Sequence, residues 1–349
     1  MLMTDKPYTF GLNTFGDLAF HDDGSAMNGD QTLQQVLQEA QLADQLGIDI
    51  FALGEHHRPE FAISSPEVVL GAMAALTKNI KLGTAVTVLS SDDPVRVFER
   101  FSTLHGLSNG REQIMIGRGS FTESFPLYGY DLEKYNDLFE EKIAMWDQLL
   151  QHKKMNWKGK LTQKLTDTMV YPMLPKNETI ETVVGVGGSP ESIIRAVYYD
   201  YAVMIAIIGG EPVRFKPYVD LYHRAVREFN KTERPLGMHA HGIILDDAEE
   251  AKEVGWKYIR AEMDRIGIDR GWAPMTRDRF EFEIDKGSYY VGTPEQVAQK
   301  LAKNMQALDM QRFDLVYGTG GQLEHQRLAT IENYGKRVIP RVKELLGGK

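Results

Sequence analysis

The densest group of reactive side chains in the sequence is Glu55-His56-His57, inside Leu53-Gly54-Glu55-His56-His57-Arg58. Histidine titrates near neutral pH, and a neighbouring carboxylate can orient its ring, so this is equipment for general acid–base chemistry. On an extended segment successive side chains alternate, so His56 and His57 point to different sides and one of them is expected to face a substrate. The plainer role for the cluster is to hydrogen-bond loop carbonyls. A second pair, His239-Ala240-His241, has the period that sets both rings on one face of a strand. Such a pair could bind a divalent metal together with Glu55 and His56, or it could form the polar wall of a substrate pocket.

Glycine implies a different chemistry. Val184-Gly185-Val186-Gly187-Gly188-Ser189-Pro190-Glu191 brings bare backbone to a helix start, where the Gly188 and Ser189 N–H groups and the Ser189 hydroxyl can meet an anion. Counting from Gly185, the sixth position is Pro190, so this is not a dinucleotide fingerprint, and no Gly-Lys-Ser/Thr marks a P-loop. A single phosphate, as on FMN, fits better; a tight turn with an N-cap is the competing reading. Arg118, in Gly117-Arg118-Gly119, is placed to pair bidentately with a phosphate or carboxylate, or to stabilise its loop by an ion pair. Gly318-Thr319-Gly320-Gly321 competes with the first turn for a phosphate, and Gly83, in Gly83-Thr84-Ala85, would let a ligand approach a strand closely.

These residues need a scaffold, and the hydrophobic pattern supplies one. Eight short apolar runs read as strands: Tyr8–Phe15, Ile48–Leu53, Ile80–Leu89, Glu112–Gly117, Thr182–Val186, Ala202–Ile208, Met238–Leu245 and Phe313–Tyr317. Helical stretches separate them, the first with Leu33, Val36, Leu37, Ala40, Ala43 and Leu46 on one face and Gly47 at its end. Others are expected at Pro66–Lys78, Pro94–Leu107, Pro190–Tyr199, Val213–Phe229, Asp247–Arg265 and Glu324–Leu346. Ser65-Pro66-Glu67, Ser189-Pro190-Glu191 and Thr293-Pro294-Glu295 each offer a capping hydroxyl, a proline at the first helical position and an acid in the first turn. Strands alternating with capped helices predict an α/β fold, a (β/α)8 TIM barrel forming a single domain over 1–349. A doubly wound sheet would want a glycine fingerprint after the first strand, and Gly16–Gly29 lacks one.

Two connections exceed ordinary loops and are expected as insertions at the C-terminal mouth of the barrel. Residues 118–180 hold a helix at Leu132–Leu150 and a polar stretch with Trp157. Residues 266–292, with Arg270, Trp272, Arg277 and Phe280, are expected to form a mobile active-site loop.

Composition removes other classes. With no cysteine among 349 residues there is no disulfide framework, thiolate metal site or cysteine nucleophile. A net charge of −9 without a basic cluster argues against nucleic acid. No apolar run is long enough for a membrane helix, and Met1–Tyr8 carries no signal-peptide core, so a cytoplasmic enzyme acting on a small molecule is expected.

Taken in order, Ala43-Asp44-Gln45-Leu46-Gly47-Ile48-Asp49, Gly54-Glu55-His56-His57, Leu82-Gly83-Thr84-Ala85-Val86, Ile116-Gly117-Arg118-Gly119, Gly187-Gly188-Ser189-Pro190-Glu191 and Val291-Gly292-Thr293-Pro294-Glu295 resemble the bacterial-luciferase-like flavin-dependent monooxygenases. The resemblance runs over nearly the whole chain and implies the same barrel. It implies reduced FMN as cosubstrate or bound cofactor, whose C4a-peroxyflavin, formed with O2, oxygenates a small organic substrate such as an aldehyde. NAD(P)H would be the ultimate reductant, a separate flavin reductase a possible partner, and the oligomer a homodimer. His56 matches the family's histidine beside the flavin, implying proton transfer and stabilisation of the peroxide. Thr84, Ala85 and Val86 match the segment under the isoalloxazine ring, with a non-proline cis bond at Ala85–Val86. Arg118 and the turn Val186, Gly187, Gly188 and Ser189 match phosphate-binding positions, while His57, His239 and His241 are assigned to the substrate pocket.

The chain departs from luciferase where a reactive cysteine becomes Gly117, a second phosphate arginine falls near Asn136 and an acidic residue becomes Val186. Light emission is therefore not expected. Alternatives are an F420-dependent reductase on the same barrel, a flavin-binding protein without turnover, and a metal-dependent hydrolase. In amidohydrolase barrels the His-x-His pair lies on the first strand, which here reads Phe10-Gly11-Leu12-Asn13, so no metal is assigned.

Overall fold

A computed structural model describes residues 8–119 and 121–347. Residues 1–7, on which the expectation of no signal peptide partly rests, lie outside the described residues. The strands in chain order are β1 (Thr9–Thr14), β2 (Ile50–Leu53), β3 (Lys81–Thr84), β4 (Thr87–Val88), β5 (Glu112–Gly117), β6 (Met155–Lys158), β7 (Lys164–Thr168), β8 (Glu181–Val186), β9 (Ala202–Ala206), β10 (Leu236–Ile244), β11 (Tyr290–Gly292) and β12 (Arg312–Val316). Eight of them, β1, β2, β3, β5, β8, β9, β10 and β12, pair in parallel in that order, and β12 closes on β1 with Leu12 opposite Leu315. The (β/α)8 barrel is thus the observed fold.

The helices are α1 (Gly29–Gln45), α2 (Pro66–Leu76), α3 (Pro94–Ser108), α4 (Ser124–Tyr128), α5 (Tyr135–Leu149), α6 (Pro190–Tyr198), α7 (Lys216–Glu228), α8 (Ala248–Arg270), α9 (Arg277–Asp285), α10 (Pro294–Ala307), α11 (Glu324–Asn333) and α12 (Ile339–Leu345). α1 starts in a capping box between Asn28 and Gln31 and ends before Gly47, whose φ of 69° suits glycine. Val36, Ala40 and Ala43 of its expected apolar face are fully buried, with Leu33, Leu37 and Leu46 packed beside them. Of the three expected hydroxyl caps only Thr293 accepts a helical N–H; Ser65 makes no capping bond, and Ser189 donates to Glu191 Oε2 at 2.6 Å instead.

Several elements differ from expectation. The third strand breaks at a cis Ala85–Val86 bond into β3 and β4. In the first mouth insertion the polar stretch folds as the antiparallel hairpin β6–β7, whose turn is tied by the Glu141 carboxylate accepting from the Lys160 and Thr162 N–H groups at 2.9 and 2.8 Å. The second insertion is mostly helical: α8 continues to Arg270, and Thr276 caps α9 by accepting from Arg279 N. The long final helix is interrupted by a π turn at Tyr334–Val338, just before Pro340, which has no N–H to offer the preceding turn.

The main core lies between strands and helices. Inside the barrel the filling is divided. Ile50, Ala52, Met115, Val183 and Met204 form an apolar cluster, while Asn13, Gln113, Arg312 and Asp314 are buried polar groups. Gly11 makes room for the last of these, since a Cβ there would stand 2.5 Å from Asp314 Oδ1.

Candidate active site

The C-terminal ends of the barrel strands open into a cavity of about 630 Å³. His56 sits at its wall, 7 % exposed, directly after β2. Its ring packs among Phe15, Phe61 and Phe121, with centroids 4.9, 4.6 and 4.7 Å away. The backbone N–H of His56 donates to the Ile63 carbonyl at 3.1 Å, and the ring Nδ1 lies 3.5 Å from Glu123 Oε1. An imidazole in an aromatic cage with a carboxylate on one nitrogen can hold or pass a proton out of reach of bulk water. The three phenylalanines come from separate loops, Glu123 from the same loop as Phe121, and nothing in their local sequence marks them.

His57 was expected to turn away from His56. It also lines the cavity, but its Nε2 is engaged by Glu55 Oε1 at 2.9 Å, and the Tyr128 ring stands edge-on at 5.3 Å. The hydrogen bond with Glu55 raises the His57 pKa above its ordinary value despite burial.

Another part of the cavity lining suits an anion. Arg118 follows β5, donates to Asn136 Oδ1 at 2.8 Å and lies 5.5 Å over the Tyr135 ring. Asn136, the departure noted in the sequence, therefore orients Arg118. Val186, Gly187, Gly188 and Ser189 line the same cavity and lead into α6, whose N-terminus has no side-chain cap. Nothing lies within 4 Å of where a Cβ would stand at Gly187, and Gly188 has a φ of 114°, so the backbone is open to a ligand there. Ala85 and Val86 also line the cavity. Thr84 is not in the lining: its hydroxyl donates to the Met115 carbonyl at 3.3 Å and accepts from Thr87 at 2.9 Å, so it braces β3 against β5. The rival turn Gly318–Gly321 reaches the cavity only through Thr319.

His239 and His241 line the cavity from β10. His241 Nδ1 lies 2.7 Å from Thr319 Oγ1. Burial pushes the pKa of His239 down to about 4 and that of His241 down to about 3, so both rings are neutral at physiological pH. With Glu55 committed to His57 and to the Val88 N–H, the metal-site reading of these histidines loses its carboxylate. Among the described residues no group of three or more His, Asp or Glu side chains is arranged to hold a metal ion.

The lining residues fit a flavin mononucleotide: a guanidinium and open backbone at a helix start for a phosphate, apolar Ala85, Val86, Met115 and Met204 for a ring system, and a caged histidine. Arg270 and Trp272, from the end of α8, also reach the lining, with the Arg270 guanidinium 5.0 Å over the Trp272 ring. No helix among the described residues is long and apolar enough to cross a membrane.

Comparison with known proteins agrees with this geometry. The N-acetyl-S-alkylcysteine monooxygenase of Bacillus subtilis (strain 168) is 29 % identical over 303 residues, 80 % of this chain and 85 % of that protein. Among solved structures, the oxygenating constituent of 3,6-diketocamphane monooxygenase of Pseudomonas putida, in complex with FMN, superposes with a TM-score of 0.74 at 20 % identity, covering 96 % of this chain and 98 % of that one. An F420-dependent secondary alcohol dehydrogenase superposes with a TM-score of 0.75 at 17 % identity, covering 96 % and 99 %. The model of the luciferase-like monooxygenase family matches residues 13–312, and the chain belongs to that family.

Proposed function

We propose that the protein is an FMN-dependent monooxygenase that oxygenates a small organic substrate. The observation that carries this reading is that one cavity joins the Arg118–Gly187–Ser189 anion end to the caged His56. Reduced FMN, when bound, would supply the activation of O2. Arg118 and the start of α6 would bind the phosphate. Ala85 and Val86 would support the ring system. His56 would hold or return a proton at its free ring nitrogen while Phe15, Phe61 and Phe121 exclude water. NAD(P)H is the ultimate electron source in this reading, delivered by a separate flavin reductase, and the location is cytoplasmic.

The partner in solution is a second copy of the chain. α2 is apolar except for Glu67: Leu70 and Met73 are buried, while Val68 and Leu76 stand 75 % and 46 % exposed, and Leu107 of the neighbouring α3 stands 59 % exposed. Such a helix is normally covered on both sides. Light scattering at twice the chain mass supports this, and a monomer at working concentration overturns it.

The deciding experiment is a flavin titration followed by oxygen uptake. The expected result is a shift in FMN absorbance on binding, then substrate-dependent O2 consumption with reduced FMN. Binding without turnover across aldehydes, thioethers and ketones would leave a flavin-binding protein. The likeness to the F420-dependent dehydrogenase supports a second reading, a reductase, which predicts binding of F420 in preference to FMN and no O2 consumption.

A further inference from the structure

Below the cavity floor a column of buried polar side chains runs down the barrel, and the flavin reading uses none of it. Arg312 donates to both oxygens of Asp314, from Nε at 2.8 Å and Nη2 at 2.7 Å, and from Nη1 to Gln113 Oε1 at 2.6 Å. Asp314 is fully buried, and Arg312 faces a second cavity at the lower end of the barrel. Above Asp314, the Asn13 amide donates to the Leu12 carbonyl at 3.0 Å and to Asp314 Oδ2 at 3.3 Å. That orientation is set by the acceptors around it, since the reverse would point its oxygen at a carboxylate and a carbonyl. Both amide protons are then used, and the Asn13 oxygen faces His239 Nδ1 at 3.3 Å. An oxygen can only accept, so the proton of this contact belongs to Nδ1.

We propose that Arg312, Asp314 and Asn13 fix His239 in its Nδ1–H tautomer, so that its Nε2 lone pair serves as a hydrogen-bond acceptor for substrate, and the cavity selects molecules that present an N–H or O–H donor, such as secondary amides. This rests on reading the cavity as the substrate site. His239 lines that cavity, and its low pKa keeps a second proton off the ring at neutral pH. A buried acceptor is costly to leave unpaired, so a ligand of equal shape without the donor is rejected. Asn13 and Asp314 act through His239 and are positioning residues.

The test uses the full chain without flavin, labelled with carbon-13 and nitrogen-15 in histidine, at pH 7. His239→Gln assigns the resonances. The expected spectrum shows His239 neutral and protonated on Nδ1; protonation on Nε2, or a cation, overturns the proposal. In Asn13→Ala the tautomer is expected to shift towards Nε2–H, and a folded variant with unchanged tautomer removes the role given to Asn13. If that variant does not fold, the spectrum of the unaltered chain still decides. Titration with N-benzylacetamide and its ester isostere benzyl acetate should show the amide binding about tenfold more tightly and shifting Nε2, with the preference lost in His239→Phe. Equal binding of the two, or binding of neither, overturns the selectivity. Because flavin is absent throughout, failure here is distinct from failure of FMN binding.

Discussion

Glu55 joins His57 and β4 through one carboxylate: Oε1 lies 2.9 Å from His57 Nε2, while Oε2 accepts the Val88 N–H at 3.1 Å. This contact fixes the loop after β2 against the strand that follows the cis bond, and so holds the wall of the cavity. It also has a pH dependence. The hydrogen bond with Glu55 raises the His57 pKa in the folded chain. A group whose pKa rises on folding contributes stability that is complete below its unfolded pKa, about 6.5 for histidine, and is lost as pH climbs through the folded value. Thermal stability is therefore expected to fall from about pH 6.5 upward. Melting temperatures measured across this range should show the decline in the unaltered chain and a flatter profile in Glu55→Gln. Identical slopes would remove the contact from the account.

Arg118 is expected to govern FMN affinity through the phosphate alone. Its guanidinium is steadied by Asn136 at 2.8 Å and by the Tyr135 ring. A hydrogen bond to a charged group contributes about 1.5–3 kcal/mol, so Arg118→Ala should weaken FMN binding about 10- to 100-fold. Riboflavin, which has no phosphate, should bind the variant and the unaltered chain alike. Asn136→Ala should show a smaller loss in the same direction. A fluorescence titration in which riboflavin suffers as much as FMN would show that Arg118 serves the loop rather than the phosphate.

For His56 the expected separation is between binding and chemistry. The ring is surrounded by phenylalanines, and no hydrogen bond or ion pair joins it to Arg118 or to the Gly187–Ser189 turn. His56→Ala should leave the FMN dissociation constant within about twofold while slowing substrate-dependent O2 uptake about 100-fold, the usual range for a lost acid–base group. Parallel losses in both measurements would instead make His56 a packing residue.

The strand ends and the turns that follow them were the most legible part of the molecule. β5 is readable to the residue, because the apolar run Ile114-Met115-Ile116 ends at Gly117-Arg118-Gly119 and a helix stops just before Arg111. That His56, Arg118, His239 and the Gly187–Ser189 turn line one cavity is readable because barrel geometry sends every strand end to one mouth. The cage around His56 is not readable, since Phe15, Phe61 and Phe121 meet only when three loops fold together. The hairpin β6–β7 hides for a similar reason: its turn is closed by Glu141, a residue of α5, and the strands carry little apolar alternation. The pair Arg312–Asp314 reads as an ordinary polar interruption until the closed barrel buries it.

Gly11 shows how the barrel interior constrains substitution. A Cβ at this position would stand 2.5 Å from Asp314 Oδ1 and 2.8 Å from its Cγ. The carboxylate cannot move freely, because Arg312 grips both of its oxygens. Gly11→Ala is thus an overpacked core substitution, expected to cost about 1–3 kcal/mol. Urea denaturation should place its midpoint below that of the unaltered chain, and an unchanged midpoint would mean that the β1–β12 register has room that the distances deny.

Between α1 and α11 a second buried ion pair makes a sharper prediction. Arg327 donates to Glu39 from Nε at 2.7 Å and Nη2 at 2.9 Å, and Tyr317 donates its hydroxyl to Glu39 Oε2 at 2.6 Å. Both charged side chains are fully buried. Burial works against the Arg327 cation, yet the Glu39 carboxylate holds its pKa above the ordinary arginine value. Removing one partner leaves a charge in the core with no counter-ion, so Arg327→Met should destabilise the fold by about 3–5 kcal/mol. Glu39→Leu should be similarly damaging. The double variant has no stranded charge, and apolar replacement of a buried pair is often close to neutral, so it should recover most of the loss. Denaturation midpoints of the three variants test this directly: recovery in the double variant identifies the cost as that of an unpaired buried charge, and additive losses would mean that Arg327 and Glu39 stabilise the chain independently of each other.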